Sequence, residues 1–155
     1  MSDLRTVIKT LETLISFDTT SRYSNLGLID WVESQLAPLG ARCVRIENSS
    51  GEKANLWGRL GPDSPGGLVL SGHTDVVPID GQDWQTDPFD LTEIDGLLYG
   101  RGTCDMKGFI ALCLAFAPEF ARLNLNRPIQ FAFSYDEEVG CQGAPDMIKT
   151  MIDQG

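Results

Sequence analysis

Residues 68–78 read LVLSGHTDVVP, an apolar run followed at once by His73 and, two positions later, by Asp75. The apolar run and the glycines around it, residues 66–72, predict a strand that is covered on both faces. Ligands of open α/β sheets bind beyond the carboxyl ends of the strands, which is where His73 stands. A metal-binding imidazole needs an acceptor for its second nitrogen, and Asp75 is placed to supply one. A lone histidine beside an acidic turn residue is the plainer interpretation, because His-x-Asp is a short pattern.

A second buried-type strand is predicted at residues 128–135, and it leads into Asp136, Glu137 and Glu138. Adjacent carboxylates repel one another unless solvent or a cation neutralises them. A solvated strand end would explain them, but this strand is aimed at the same sheet edge as His73. Successive strand residues face opposite ways, so Glu137 and Glu138 can share a site only if the backbone leaves extended geometry there.

A third block, residues 98–109 (LYGRGTCDMKGF), places glycines on both sides of Asp105, just before a predicted helix. A helix N-cap is the common explanation of such an aspartate. A phosphate loop is a second alternative, but the block lacks the third glycine of Gly-x-Gly-x-x-Gly and does not continue as a Walker loop after Lys107. Cys104 is expected to be a small buried hydrophobe rather than a thiolate ligand.

Helices and further strands surround these three blocks. Apolar periodicity and end signals predict helices at 3–17 (with Asp3 at the entrance), at 26–39, from Met106 onward, and at 144–153. Extended segments are predicted at 41–48, 54–61, 90–94 and 97–100. Strands that alternate with helices predict an α/β fold with a mostly parallel central sheet flanked by helices.

The helix that begins near Met106 carries two specific expectations. Its aromatic and leucine residues predict an apolar face, formed by Phe109, Leu112, Phe116 and Phe120. Pro118 should kink this helix or end it early, because proline lacks the N–H that a helix interior needs.

Composition excludes several classes of function. The chain has 22 acidic and 12 basic residues and a formal charge of −10, which argues against a nucleic-acid partner. It has no 18-residue apolar stretch and no basic leader, so neither a membrane partner nor a secretory signal is expected. Four cysteines without a Cys-x-x-Cys pair are typical of reduced thiols in a cytoplasmic protein.

The three blocks gain weight together. His73, Asp105 and the Glu137–Glu138 pair follow one another at intervals of 32 and 32–33 residues, each at an element boundary on the same predicted rim. Imidazole and carboxylate oxygens form the ligand set of an open, catalytic site for zinc or a similar divalent ion. Two cations would account for the excess of carboxylates.

The blocks resemble those of the zinc aminoacylase/carboxypeptidase family, which includes acetylornithine deacetylases, succinyl-diaminopimelate desuccinylases and dipeptidases. The resemblance runs through SGHTDVVP, DWQTDPFDL, GLLYGRGTCDMKGF and FSYDEEVG, and GTCDMKG is most similar to the acetylornithine deacetylase branch. It implies a zinc-peptidase-like catalytic domain that holds two divalent metal ions, zinc or alternatively cobalt. The implied partner is a small N-acyl amino acid.

The resemblance also implies a role for each residue. His73 would bind one metal ion, Glu138 would bind the other, and Asp105 would bridge them. Glu137 would be the general base, and Asp75 would orient His73. The implied reaction is deacetylation of N-acetylornithine to ornithine and acetate in arginine biosynthesis; a desuccinylase, a dipeptidase and a non-catalytic binding module are the alternatives.

The family's site needs one more acidic ligand and a second histidine, whereas this chain has a single histidine. We therefore expect residues 1–155 to be the N-terminal portion of the catalytic domain, inactive alone. The C-terminal part of that domain and the lid or dimerisation domain would lie outside the chain. The parent protein is expected to be a homodimer.

Overall fold

The computed structural model describes residues 3–154. The helices are α1 (Leu4–Ile15), α2 (Leu26–Leu36), α3 (Gly108–Phe120) and α4 (Ala144–Gln154). The strands are β1 (Arg42–Glu47), β2 (Ala54–Leu60), β3 (Leu68–His73), β4 (Thr92–Ile94), β5 (Leu97–Tyr99) and β6 (Ile129–Ser134). A 3₁₀ turn, Ala37–Leu39, follows α2, and a π-helical turn, Thr103–Lys107, precedes α3.

Local signals explain where the first helices begin and end. The Asp3 carboxylate accepts a hydrogen bond from the Thr6 backbone N–H at 2.9 Å, which caps α1 as expected. The 3₁₀ turn after α2 stops at Gly40, whose φ of 85° is accessible to glycine at little cost. In the small β4–β5 hairpin, Asp95 and Gly96 both have positive φ, as a tight two-residue turn requires.

The central sheet has the strand order β1-β2-β6-β3. The predicted α/β fold with flanking helices is confirmed, but the prediction of a mostly parallel sheet is wrong. Only β3 and β6 run parallel among the described strands, whereas β1–β2 and β2–β6 are antiparallel. The short connection at residues 48–53 joins β1 to β2 as a hairpin, which must be antiparallel because a parallel pair needs a long crossover.

Strand β3 lies at one edge of this sheet, so the expectation that both of its faces are covered is wrong for its first half. Leu68 is 59% exposed and Val69 is 42% exposed, and burial begins only at Gly72 and His73. Within residues 3–154 this strand has one strand neighbour, β6, whereas β2 and β6 each have two and are buried along their whole length.

The helices divide between the two sheet faces. Helices α1, α2 and α3 share a core with Leu56, Phe131 and Phe133 on one face. Asn55 points to the other face, where its side-chain amide donates to the Gly143 carbonyl at the start of α4. Among the described helices, none has the length and apolarity needed to cross a membrane.

Helix α3 differs from the expectation for its apolar face. Its buried residues are Ile110, Ala111, Cys113, Leu114, Ala115 and Ala117. The predicted face is wrong: Leu112 is 48% exposed, and the three phenylalanines are only partly buried. The helix is apolar on nearly every side, so its pattern did not single out a face, and its small alanines allow close packing against α1. Helix α3 continues through Pro118 and ends two residues later, at Phe120, so the proline lies in its last turn.

Candidate metal centre

The parallel strands β3 and β6 deliver the candidate residues to one edge of the sheet. His73 is in register with Ser134, so both strands end side by side. After β6 the chain leaves extended geometry: Asp136 has a φ of 54°, and residues 138–140 form a turn. This confirms the expected irregular exit, which lets Glu137 and Glu138 approach the same site.

Asp75 is the most heavily bonded of the candidate residues. Its carboxylate is buried and accepts hydrogen bonds from the Glu137 backbone N–H at 3.0 Å, the Glu138 backbone N–H at 3.2 Å and the Ser21 hydroxyl at 2.7 Å. Burial alone would raise the pKa of Asp75, but hydrogen bonds from His73, Ser21 and the two backbone amides outweigh it and lower the pKa. Asp75 therefore joins three segments of the chain as a carboxylate.

The His73 ring is buried and its two nitrogens face different partners. Nδ1 lies 3.0 Å from the Asp75 carbonyl oxygen and 3.5 Å from its carboxylate; because a carbonyl only accepts, Nδ1 carries a proton and donates it. Nε2 lies 3.0 Å from Asp105 Oδ1 and 3.7 Å from Glu137 Oε2. Burial alone would lower the pKa of His73, but hydrogen bonds to Asp75 and Asp105 raise it to about 9.

Three of the candidate residues meet the geometric requirement of a metal site. One ligand atom from each of His73, Glu137 and Glu138 lies within 4.8 Å of the other two. Asp105 contacts His73 but is outside this group of three. Burial and then the charge of Asp105 raise the pKa of Glu138, so the carboxylates repel one another here. One imidazole and several oxygens whose repulsion a cation would relieve fit a divalent metal ion.

Asp105 reaches the site from the π-helical turn. Its φ and ψ of −125° and 98° are not helical, and its side chain is 75% exposed. The N-cap of α3 is Lys107, so the alternative that Asp105 caps the helix is wrong. Cys104 is exposed, which corrects the expectation that it is buried; the turn directs it outward beside Asp105.

The glycines of this block serve the turn itself. A Cβ on Gly102 would lie 2.7 Å from Val76 Cγ1, and a Cβ on Gly108 would lie 2.4 Å from the Thr103 carbonyl oxygen. Lys107 is fully buried, and its ammonium group donates to the Phe17 carbonyl at 2.7 Å. Close packing of the turn against Val76 and against its own backbone therefore explains the glycines at positions 102 and 108.

Sequence reasoning missed Ser21 and Lys53, which approach Asp75 and Asp136 from the N-terminal third of the chain. The available signal was the polar run DTTSRYSN at residues 18–25, between two amphipathic helices. Thr19, Thr20 and Ser21 of this run are buried, which a plain surface loop would not require.

Comparison with known proteins gives this geometry a context. Residues 69–155 match the sequence model of peptidase family M20/M25/M40. The chain is 41% identical over 138 residues to acetylornithine deacetylase of Pasteurella multocida (strain Pm70), and 39% identical over 155 residues to that of Myxococcus xanthus. These matches cover 88% and 96% of this chain but only 36% and 40% of the relatives, so the chain spans about two fifths of their length.

Solved structures show the same fold. Human carnosine dipeptidase 1 superposes with a TM-score of 0.80 and 28% identity, over 96% of this chain and 35% of that one. The metallo-carboxypeptidase Sso-CP2 from Sulfolobus solfataricus gives a TM-score of 0.73 over 95% of this chain and 34% of that one. At 23% identity, the second similarity concerns the fold alone.

Proposed function

This chain belongs to peptidase family M20/M25/M40, and from that premise we propose that it is the N-terminal portion of the catalytic domain of a metal-dependent deacetylase acting on N-acetylornithine. The observation that carries the proposal is the meeting of His73, Asp105, Glu137 and Glu138 at one sheet edge. The substrate is supported by relatives of 39–41% identity that are named acetylornithine deacetylases. Release of ornithine would place the reaction in arginine biosynthesis.

Three residues would hold the metal ions in this proposal. His73, Glu138 and Asp105 would hold two divalent ions, zinc or alternatively cobalt, and Glu137, which also belongs to the cluster of three, is assigned to proton transfer instead. Bound ions of this kind polarise an amide carbonyl and make a water molecule acidic enough to lose a proton near neutral pH. Asp75 would fix the His73 ring so that Nε2 points into the site, because Nδ1 is held by the Asp75 carbonyl at 3.0 Å.

Glu137 would be the general base. Its side chain is 43% exposed, its Oε2 lies 3.7 Å from His73 Nε2, and its backbone is held by Asp75. It would accept a proton from the water that attacks the amide carbon and return it to the departing amine nitrogen. The C–N bond breaks as that nitrogen is protonated, which gives acetate and the free amine.

A substrate panel on the parent protein tests the proposal. We expect turnover of N-acetylornithine to exceed that of N-succinyl-diaminopimelate and of dipeptides, to stop after chelation and to return with zinc or cobalt. The 155-residue chain alone should be inactive, because it supplies one histidine to a family site that uses two. Turnover that survives complete chelation would contradict the proposed chemistry.

A dipeptidase is the second candidate. The observation that favours it is the 28% identity and TM-score of 0.80 with human carnosine dipeptidase 1. Both candidates hydrolyse an amide bond and would use the same residues. Faster hydrolysis of a dipeptide than of N-acetylornithine in the same panel would select the dipeptidase.

A further inference from the structure

We propose that Ser21 and Lys53 are positioning residues of this metal site. Together with Asp136 they form the Ser21–Lys53 brace, which holds the Asp75 carboxylate and the Glu137–Glu138 turn in place. Ser21 and Lys53 both precede residues 69–155, the part of the chain that matches the family's sequence model. The inference rests on the proposed function only in taking this cluster as the metal site.

The backbone and the side chain of Ser21 make separate hydrogen bonds, and the side chain bonds to Asp75. Its backbone N–H donates to the Val76 carbonyl at 3.1 Å, beside a parallel bridge between Thr20 and Val76. Its hydroxyl donates to Asp75 Oδ2 at 2.7 Å and lies farther, at 3.5 Å, from the Val76 carbonyl. A hydroxyl has one proton, so the shorter contact with the charged oxygen takes it.

Lys53 connects the same segment to the carboxylate turn. Its ammonium group contacts Asp136 Oδ1 at 2.6 Å and Oδ2 at 2.7 Å, and it also donates to the Ser21 carbonyl. The Lys53 and Asp136 side chains are only 15% and 10% exposed. Asp136 holds the positive φ that turns the chain toward Glu137, so Lys53 fixes the residue at which the turn begins.

The brace matters because the carboxylate and the backbone carbonyl of Asp75 each hold a different part of the site. Its carboxylate accepts the backbone amides of Glu137 and Glu138, while its carbonyl accepts the proton of His73 Nδ1. A ligand's orientation and its metal affinity depend on the hydrogen bonds behind it, and losing such a partner lowers metal affinity about 10- to 100-fold. Removal of the Ser21 hydroxyl should therefore loosen both the turn and the imidazole.

The experiment compares Ser21→Ala, Ser21→Thr and Lys53→Met with a matched control in the 155-residue chain. The control is Thr19→Val, because Thr19 is also buried in the same segment and its hydroxyl donates to the Thr74 carbonyl at 2.6 Å rather than to Asp75. One measurement is hydrogen exchange of the Glu137 and Glu138 amides in metal-free protein. The other is zinc affinity by competition with a chelator.

We expect Ser21→Ala and Lys53→Met to speed exchange of the two amides about 10-fold and to weaken zinc binding at least about 10-fold. Ser21→Thr keeps the hydroxyl and should restore both values, and Thr19→Val should change neither. The proposal is overturned if Ser21→Ala exchanges like the unsubstituted chain, or if Thr19→Val has the same effects as Ser21→Ala. Zinc binding too weak to measure in the unsubstituted chain would follow from its incomplete ligand set, and the exchange rates would then decide the brace. Failure of the proposed function is detected separately, by the substrate panel on the parent protein.

Discussion

The two halves of the candidate site differ in how the protein holds them. The buried half consists of His73 and Asp75, whose side chains are 7% and 3% exposed and are surrounded by hydrogen-bond partners. The exposed half consists of Asp105 and Glu137, whose side chains are 75% and 43% exposed. The same cluster therefore combines groups fixed by the fold with groups open to solvent.

This difference separates positioning from chemistry. Protein hydrogen bonds hold the buried half, because Asp75 has three donors and His73 Nδ1 has the Asp75 carbonyl. The exposed carboxylates repel their neighbours and face the open side, where a cation and a substrate would arrive. Substitution of the exposed carboxylates should change catalysis first, and substitution of Asp75 in the buried half should change stability first.

The largest expected effect is on catalysis at Glu137. In the parent protein, Glu137→Gln should lower kcat roughly 1,000-fold, about 4 kcal/mol in activation free energy, because the amide cannot accept the proton from water. Zinc content, measured by atomic absorption, should stay unchanged. Steady-state kinetics on N-acetylornithine provides the rate.

Glu138→Gln is the control for this assignment, because it removes the neighbouring carboxylate of the same turn. We expect Glu138→Gln to lose metal along with activity, since Glu138 is proposed as a ligand. Loss of zinc in Glu137→Gln and retention in Glu138→Gln would exchange the two roles.

The next effect concerns the buried half. Asp75→Ala leaves two backbone amides and the Ser21 hydroxyl without their acceptor, and should lower the free energy of unfolding by about 3 kcal/mol. Urea unfolding followed by circular dichroism measures it. Asp80→Ala is the matched control, because Asp80 pairs with Arg22 at the exposed surface, and its stability should not change measurably. Equal stability of the two variants would remove the distinction between the halves.

The sequence predicted which residues meet, because strand ends and adjacent carboxylates are local patterns. The apolar runs before His73 and Asp136 were enough to place both on one sheet edge, and the turn after β6 followed from the need to bring Glu137 and Glu138 together. The strand order was not local information. The short hairpin makes the β1–β2 pairing local, but placing β2 antiparallel beside β6 depends on long-range pairing, and so does the exposure of Leu68 at the edge.

The sequence also did not predict which residues of the site are buried and which are exposed. Asp75 and Asp105 each follow a glycine-containing block, yet one is buried and the other exposed. What separates them is the cover that Ser21 and its neighbours provide from more than 50 positions away. Hydrogen-bond partners at that separation leave no periodic pattern in either segment.

A smaller effect is expected under the exposed half, where Lys107 anchors the turn that carries Asp105. Burial lowers the pKa of Lys107 to about 7, so its ammonium group is costly to bury, and the hydrogen bond to the Phe17 carbonyl offsets that cost. Lys107→Met keeps the stem and loses the bond, and should lower the free energy of unfolding by about 1 kcal/mol. Lys149→Met, at an exposed lysine, is the control and should have no effect. A more stable Lys107→Met variant would mean that the ammonium group is a net burden rather than an anchor.

The last prediction concerns the chemical reactivity of the cysteines, and it involves no change in stability or catalysis. Cys104 and Cys141 are exposed, although desolvation and the Glu137 carboxylate raise the pKa of Cys141. Burial raises the pKa of the partly buried Cys43 and of the buried Cys113 to about 11. A maleimide at pH 7 should modify Cys104 at least about 100-fold faster than Cys113, with Cys141 and Cys43 in between, because the reactive form is the thiolate and it must be accessible. Peptide mass spectrometry at short times measures each site, and urea-unfolded protein, in which all four should react alike, is the control. Rapid modification of Cys113 in folded protein would show that the core opens as readily as the exposed half, and the contrast between the two halves would then not extend beyond the site.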